Sequence, residues 1–163
     1  MRQSSSGFTL VELVIVMAVL VILAGLTIPI YTRVLDHARV TRAVGDINAV
    51  TKEVAIFQSS RGCLPPSLTD LGRTDLVDPW GRAYQLVVTS APAPGSSCSA
   101  CSSQCAGPGA ARVDAAGVRL NLDYDVFSSG KDGGTAASIS AAVSLDDVVR
   151  GRTGGFIGRA STY

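Results

Sequence analysis

Gly7-Phe8-Thr9-Leu10-Val11-Glu12 stands at the head of a stretch that continues through residues 13–32 without one charged side chain. At about 1.5 Å per residue, a helix of that uncharged length spans roughly 30 Å, the thickness of a bilayer's hydrocarbon core. A buried core helix is the competing reading, but such helices are usually shorter and show a polar face. A cleaved secretory signal would need small residues at a cut after the apolar run, where Pro29, Ile30 and Tyr31 stand instead. The stretch therefore reads as a membrane anchor that stays in the chain.

Charge and cysteines disagree about which side the remainder occupies. Arg2 precedes the anchor while Arg33, Arg39 and Arg42 follow it closely, and that excess of positive charge favours a cytoplasmic C-terminal part. Cys63, Cys98, Cys101 and Cys105 are even in number and lie in loop-like sequence, which favours an oxidising compartment. Over the whole chain 14 basic residues face 13 acidic ones, and loss of a leader containing Arg2 leaves 13 against 13. A neutral chain carries no electrostatic footprint for nucleic acid.

The N-terminal motif arbitrates. A short polar leader ending in Gly7, then Phe8, then an apolar helix with one acid, Glu12, resembles the class III signal of type IV pilins and type II secretion pseudopilins. The resemblance covers residues 7 to about 32, Pro29 included. It implies that a prepilin peptidase removes residues 1–7, that Phe8 becomes the N-methylated first residue, and that everything after the anchor lies outside the cytoplasm. An ionised carboxylate in the apolar zone costs about 2.5–3.5 kcal/mol on insertion scales, so Glu12 calls for a partner unless it merely sits at the interface. The amine freed on Phe8 would be largely cationic, with a pKa near 7.7–8.0. In the family resembled, that amine on a neighbouring subunit is the partner, and the pairing draws new subunits into a filament.

Beyond the anchor, Val40, Val44, Ile47, Val50, Val54 and Phe57 recur at steps of three and four among Arg39, Arg42, Asp46 and Lys52, one face of an amphipathic helix. A helix over residues 8–59 is expected, weakened at Gly25 and Pro29 by a kink or a melted segment and capped at Gly62. Asp78-Pro79-Trp80-Gly81 has the residues of a type I turn and launches a strand over 82–88, with Tyr84, Leu86 and Val88 on one face. Residues 118–126 alternate Val118, Leu120, Leu122, Tyr124 and Val126 with Arg119, Asn121, Asp123 and Asp125, the pattern of a half-buried antiparallel strand.

The Asp-Pro-Trp-Gly turn with its Tyr-Gln strand, followed by Ser128-Ser129-Gly130-Lys131-Asp132-Gly133, resembles one branch, the major pseudopilins of type II secretion. The resemblance implies an α+β fold, a long helical spine with a small antiparallel sheet packed on its second half. The expected layout is a leader at 1–7, a transmembrane polymerisation helix at 8–32, an amphipathic helix at 33–62 and a head at 63–163. It also implies one calcium ion, held by Asp132, Asp146 and Asp147 with the carbonyls of Ser129 and Ser144. Calcium takes six to eight oxygens, which carboxylates, carbonyls and water supply. Thirteen residues separate Asp132 from Asp146, and a connection that long leaves open that the later pair are merely solvated acids.

The chain departs from the branch over residues 89–117, a Ser-, Ala-, Gly- and Pro-rich segment with three of the four cysteines. Loops of this length are uncommon unless tied down. Disulfides would tie it. A zinc site built from Cys98, Cys101 and Cys105 with Cys63, though without paired knuckles, and free or redox-active thiols are the competing arrangements. No phosphate-binding glycine loop, metalloprotease helix or serine nucleophile elbow appears, and the single histidine, His37, follows the anchor. The expectation is a structural filament subunit and not an enzyme. It would act as a homopolymer with a prepilin peptidase, an inner-membrane assembly platform and minor pseudopilins, first in the inner membrane and then in a periplasmic or surface filament. A type IV pilus or competence pilin is the alternative.

Overall fold

Apolar side chains at steps of three and four build one helix, α1, Leu10–Arg61, in a computed structural model that describes residues 7–89 and 110–163. The chain divides into two units, Met1–Ala38 and Arg39–Tyr163. In the first, Phe8, Leu10, Leu13, Leu20, Ile28 and Ile30 are all exposed. The apolar window of α1 has a mean hydropathy of 2.9 with none of it buried. Among the described residues it is the one helix long and apolar enough to cross a membrane. Such a surface is stable only in lipid or against other apolar chains.

The helix is continuous through Gly25 and Pro29, so of the kink or melted segment expected there the melted segment is absent. The proline removes one backbone donor, the group that would have reached the Gly25 carbonyl. In the adjacent turn the Thr27 hydroxyl donates to the Leu23 carbonyl at 2.8 Å, a back-bond of the kind that favours a slight bend. At the other end Gly62 adopts φ +73° and donates its N–H to Gln58 O at 2.8 Å, the left-handed cap its position predicts.

In the second unit the predicted face of α1 is the core seam. Ala43, Ile47, Val50 and Val54 are buried with Tyr84, Tyr124, Val126 and Val148. Each fully buried aliphatic side chain contributes roughly 1.5–3 kcal/mol. The sheet they meet has four antiparallel strands in sequential order: β1 (Gln85–Val88), β2 (Tyr124–Ser128), β3 (Val148–Gly151) and β4 (Phe156–Arg159). Gln85 pairs with Phe127, Phe127 with Val149, and Val149 with Gly158. With a side-chain period of two, Tyr124 and Val126 face α1. Phe127 and Val149 face a second cluster with Leu120, Ile139 and Ala160. The sheet is therefore covered on both faces.

Two strand expectations need correction. The first strand begins at Gln85, although Tyr84 and Leu86 do pack against the helix core as read. The second occupies Tyr124–Ser128 rather than residues 118–126, and it is buried at every position. Val118 and Leu122, assigned inward, are 60% and 74% exposed, whereas Asn121 and Asp125, assigned outward, are 1% exposed. Hydrogen bonding explains the inversion. Asn121 Nδ2 donates to Asp125 Oδ1 at 2.7 Å and to Arg150 O at 2.8 Å, and Asn121 Oδ1 accepts from Thr153 N at 2.8 Å. Buried polar groups with partners cost little, and alternation cannot show where partners will be. Strands β3 and β4 had no counterpart in the sequence reading. Each is four residues long and a glycine-rich turn joins them.

Candidate assembly and metal sites

The N-terminal site is local. Thr9 stands just before α1, and its N–H and Oγ1 donate to Glu12 Oε2 at 3.2 and 3.1 Å, while Glu12 N donates to Thr9 Oγ1 at 3.3 Å. This reciprocal arrangement is a capping box, which satisfies amide groups that the first helical turn leaves without partners. Glu12 thus has a partner within its own chain, a role the sequence reading did not assign, although Thr-x-x-Glu before an apolar run is its signature. Gly7 and Phe8 precede the helix, and Phe8 is 80% exposed. The remainder of the leader lies outside the described residues.

The second site is assembled by the turn at Asp78. Gly81 N donates to Asp78 O at 2.9 Å, closing the predicted turn, and Asp78 Oδ1 accepts from Trp80 N and Arg82 N at 3.0 and 2.8 Å. Its second oxygen reaches across the sheet and accepts from Ser128 Oγ at 2.5 Å. Arg82 follows, donating to three carbonyls of the Ser128–Gly133 motif: Gly130 O at 2.8 Å, Lys131 O at 3.1 Å and Asp132 O at 3.1 Å. A Cβ on Gly133 would lie 2.3 Å from this guanidinium, and the backbone there has φ +78°. Only glycine suits both conditions. The two motifs carrying the branch resemblance are thus one physical unit.

The long connection brings Asp146 back to that loop. Asp146 Oδ2 accepts from Lys131 N at 2.6 Å and Asp132 N at 3.0 Å, and Asp132 Oδ1 accepts from Gly134 N at 2.8 Å. A Cβ on Gly130 would meet Asp146 O at 2.6 Å and Asp146 Oδ2 at 2.7 Å, so the two loop segments touch at that glycine. Ser144 is fully buried, with its hydroxyl accepting from Ala136 N at 2.8 Å. The Ser129 and Ser144 carbonyls accept from Gly133 N and Asp147 N at 3.2 and 3.1 Å.

Asp147 is fully buried. Arg112 Nη2 and Thr135 Oγ1 donate to its Oδ2 at 2.6 and 2.8 Å, while Oδ1 has no partner. Burial pushes its pKa up to about 6; the Thr135 hydrogen bond and Arg112 oppose that shift, and the charges of Asp146 and Asp132 add to it. Among the described residues no three acidic, histidine or cysteine side chains gather closely enough to hold a metal as they stand. An orphaned buried carboxylate oxygen beside two further acids is nonetheless the feature a hard cation would satisfy.

Cys63 is half-buried just after the helix cap and is disulfide-bonded. Among the described residues no cysteine is free. Cys98, Cys101 and Cys105 lie outside the described residues.

Residues 2–28 match the prokaryotic N-terminal methylation motif. Type II secretion system core protein G of Pseudomonas aeruginosa is 30% identical over 116 residues, covering 57% of this chain and 80% of that protein. A fimbrial protein of Pseudomonas aeruginosa is 44% identical over 95 residues, 53% of this chain and 61% of the relative. Fimbrial protein Q of Moraxella bovis is 33% identical over 70 residues, 42% of this chain and 45% of that protein. No solved structure matches the chain. Anchor helix, motif and relatives together define a class: the chain belongs to the type IV pilin-like family. Within it, this is a subunit of the pilus and pseudopilus kind, with a type II secretion core protein among its relatives.

Proposed function

We propose that the chain is the major pseudopilin of a type II secretion system, a mechanical subunit and not an enzyme. The observation that carries this reading is the joining of Asp78-Pro79-Trp80-Gly81 to the Ser128–Gly133 loop through Asp78–Ser128 and Arg82, since these are the two motifs that resemble that branch. The similarity to core protein G over most of that protein's length supports it. A prepilin peptidase cuts between Gly7 and Phe8, and Phe8 is methylated. The anchor then holds the subunit in the inner membrane, with its head in the periplasm, until an assembly platform and minor pseudopilins pass it into a homopolymer. Glu12 serves assembly: its carboxylate leaves the capping box with Thr9 to meet the Phe8 amine of a neighbour.

The head binds one calcium ion through Asp147 Oδ1, Asp132, Asp146 and the Ser129 and Ser144 carbonyls. Asp132 and Asp146 turn from their present backbone partners to do so. The ion supplies charge neutralisation where the 129–134 and 144–147 segments already meet. The four cysteines form two disulfides that restrain the segment after β1.

A second reading is favoured by the fimbrial relatives: a type IV pilus subunit whose head meets surfaces or DNA. Deletion of the gene separates the two. The first expects folded exoproteins to accumulate in the periplasm with surface pili intact. Normal export with lost piliation or DNA uptake would replace it with the second.

A further inference from the structure

Arg112 is 3% exposed; its backbone, its Nη2 and the face of its guanidinium are engaged by the head, while Nε and Nη1 are buried without a partner. Its backbone N–H donates to Asp125 Oδ2 at 2.8 Å, and its guanidinium carbon lies 3.9 Å from the centre of the Phe127 ring on β2. Nη2 donates to Asp147 Oδ2 at 2.6 Å, Thr135 Oγ1 at 2.6 Å and Ala136 O at 2.9 Å. One planar cation therefore rests on the sheet and grips the loop segments before and after residue 140. Lysine, a point charge on a flexible stem, could not stack and bond in this way.

Asp147 has no exposed surface, and the charges of Asp146 and Asp132 act on it. A buried carboxylate without compensation is strongly destabilising. Arg112 is its ion-pair partner, Nη2 to Oδ2 at 2.6 Å. We infer that Arg112 is a built-in counter-ion that neutralises Asp147 and holds the 129–147 loops on the sheet when no calcium is bound, so that the metal adds to an already closed head. Its competition with calcium rests on the metal site proposed above; its counter-ion role does not. Because the guanidinium is a positive neighbour of Asp147 Oδ1, it also lowers the site's affinity for a divalent cation.

The test uses full-length protein in detergent, with fluorescence of Trp80, the only tryptophan in the chain, reporting thermal unfolding of the head. In chelator, Arg112→Met should lower the Tm by about 10 °C or more. Arg112→Met/Asp147→Asn should recover at least half of that loss, because the stranded charge is gone. Equal loss in the single and double variants would overturn the counter-ion role. Calcium should raise the Tm of Arg112→Met more than that of wild type, and titration with calcium alone should show at least several-fold tighter binding. A larger calcium effect in wild type would overturn the competition. If Arg112→Met fails to fold, Arg112→Gln, which also removes the charge, replaces it in both arms, with a smaller loss expected and the same signs. Recovery in the chelator arm with no response to calcium in any variant would remove the metal reading and leave the counter-ion standing.

Discussion

Ser128, the last residue of β2, donates its hydroxyl to Asp78 at 2.5 Å across a sequence separation of fifty residues. Both side chains are buried, and Asp78 also holds the amides of Trp80 and Arg82. The turn before β1 and the loop after β2 are therefore set by one carboxylate. Replacing Asp78 with alanine should cost about 3 kcal/mol, since it strands a buried hydroxyl and two turn amides. Urea unfolding followed by Trp80 fluorescence measures this, and Ser128→Ala should cost less because the turn amides keep their acceptor.

The mature N-terminus should be methylated Phe8. Mass spectrometry of purified filaments checks this, and a terminus within or after residues 13–32 would contradict the assembly scheme.

Glu12→Ala should leave membrane insertion intact and sharply reduce filament yield. Thr9→Ala distinguishes the two partners of Glu12. It removes half of the capping box, worth about 1 kcal/mol of helix stability, while leaving the carboxylate free for a neighbour's amine. Assembly should therefore survive in Thr9→Ala, and filament yield by shearing and immunoblot decides it.

Acid should weaken the head partly through Asp123. Burial alone would raise its pKa, but hydrogen bonds from Arg150 and Tyr124 N outweigh this and hold it below the usual aspartate value. A depressed folded pKa means stabilisation that is fully present above the unfolded value of about 3.9 and lost as pH falls through the folded one. Asp123→Asn should thus cost about 1 kcal/mol near pH 7, a modest figure because the side chain is partly exposed. The difference from wild type should shrink as pH falls below the unfolded value and disappear once the folded carboxyl is protonated, as denaturant unfolding at a series of pH values would show.

Thiol titration of protein from its native compartment, under denaturing and non-reducing conditions, should find no free thiol. Four reactive thiols would contradict the disulfides.

Local pattern carried the features that local physics controls. The uncharged run at 13–32, the apolar seam from Val40 to Phe57, the Gly62 cap and the turn at Asp78 were legible because each depends on helical periodicity or on backbone angles that one residue type favours. Alternation misled at 118–126 because it records polarity and not partners. Asn121 and Asp125 are buried only because Arg112, Arg150 and Thr153 come from elsewhere in the chain to meet them. β3 and β4 are too short to leave a period, and the pairing of β3 with β2 and β4 defines them. The return of Asp146 to the Lys131–Asp132 amides depended on how the thirteen-residue connection folds. The sequence by itself determined an anchored, amphipathic spine. Tertiary structure decided which polar side chains could go inside, because a buried charge is tolerated only where distant segments bring it a partner.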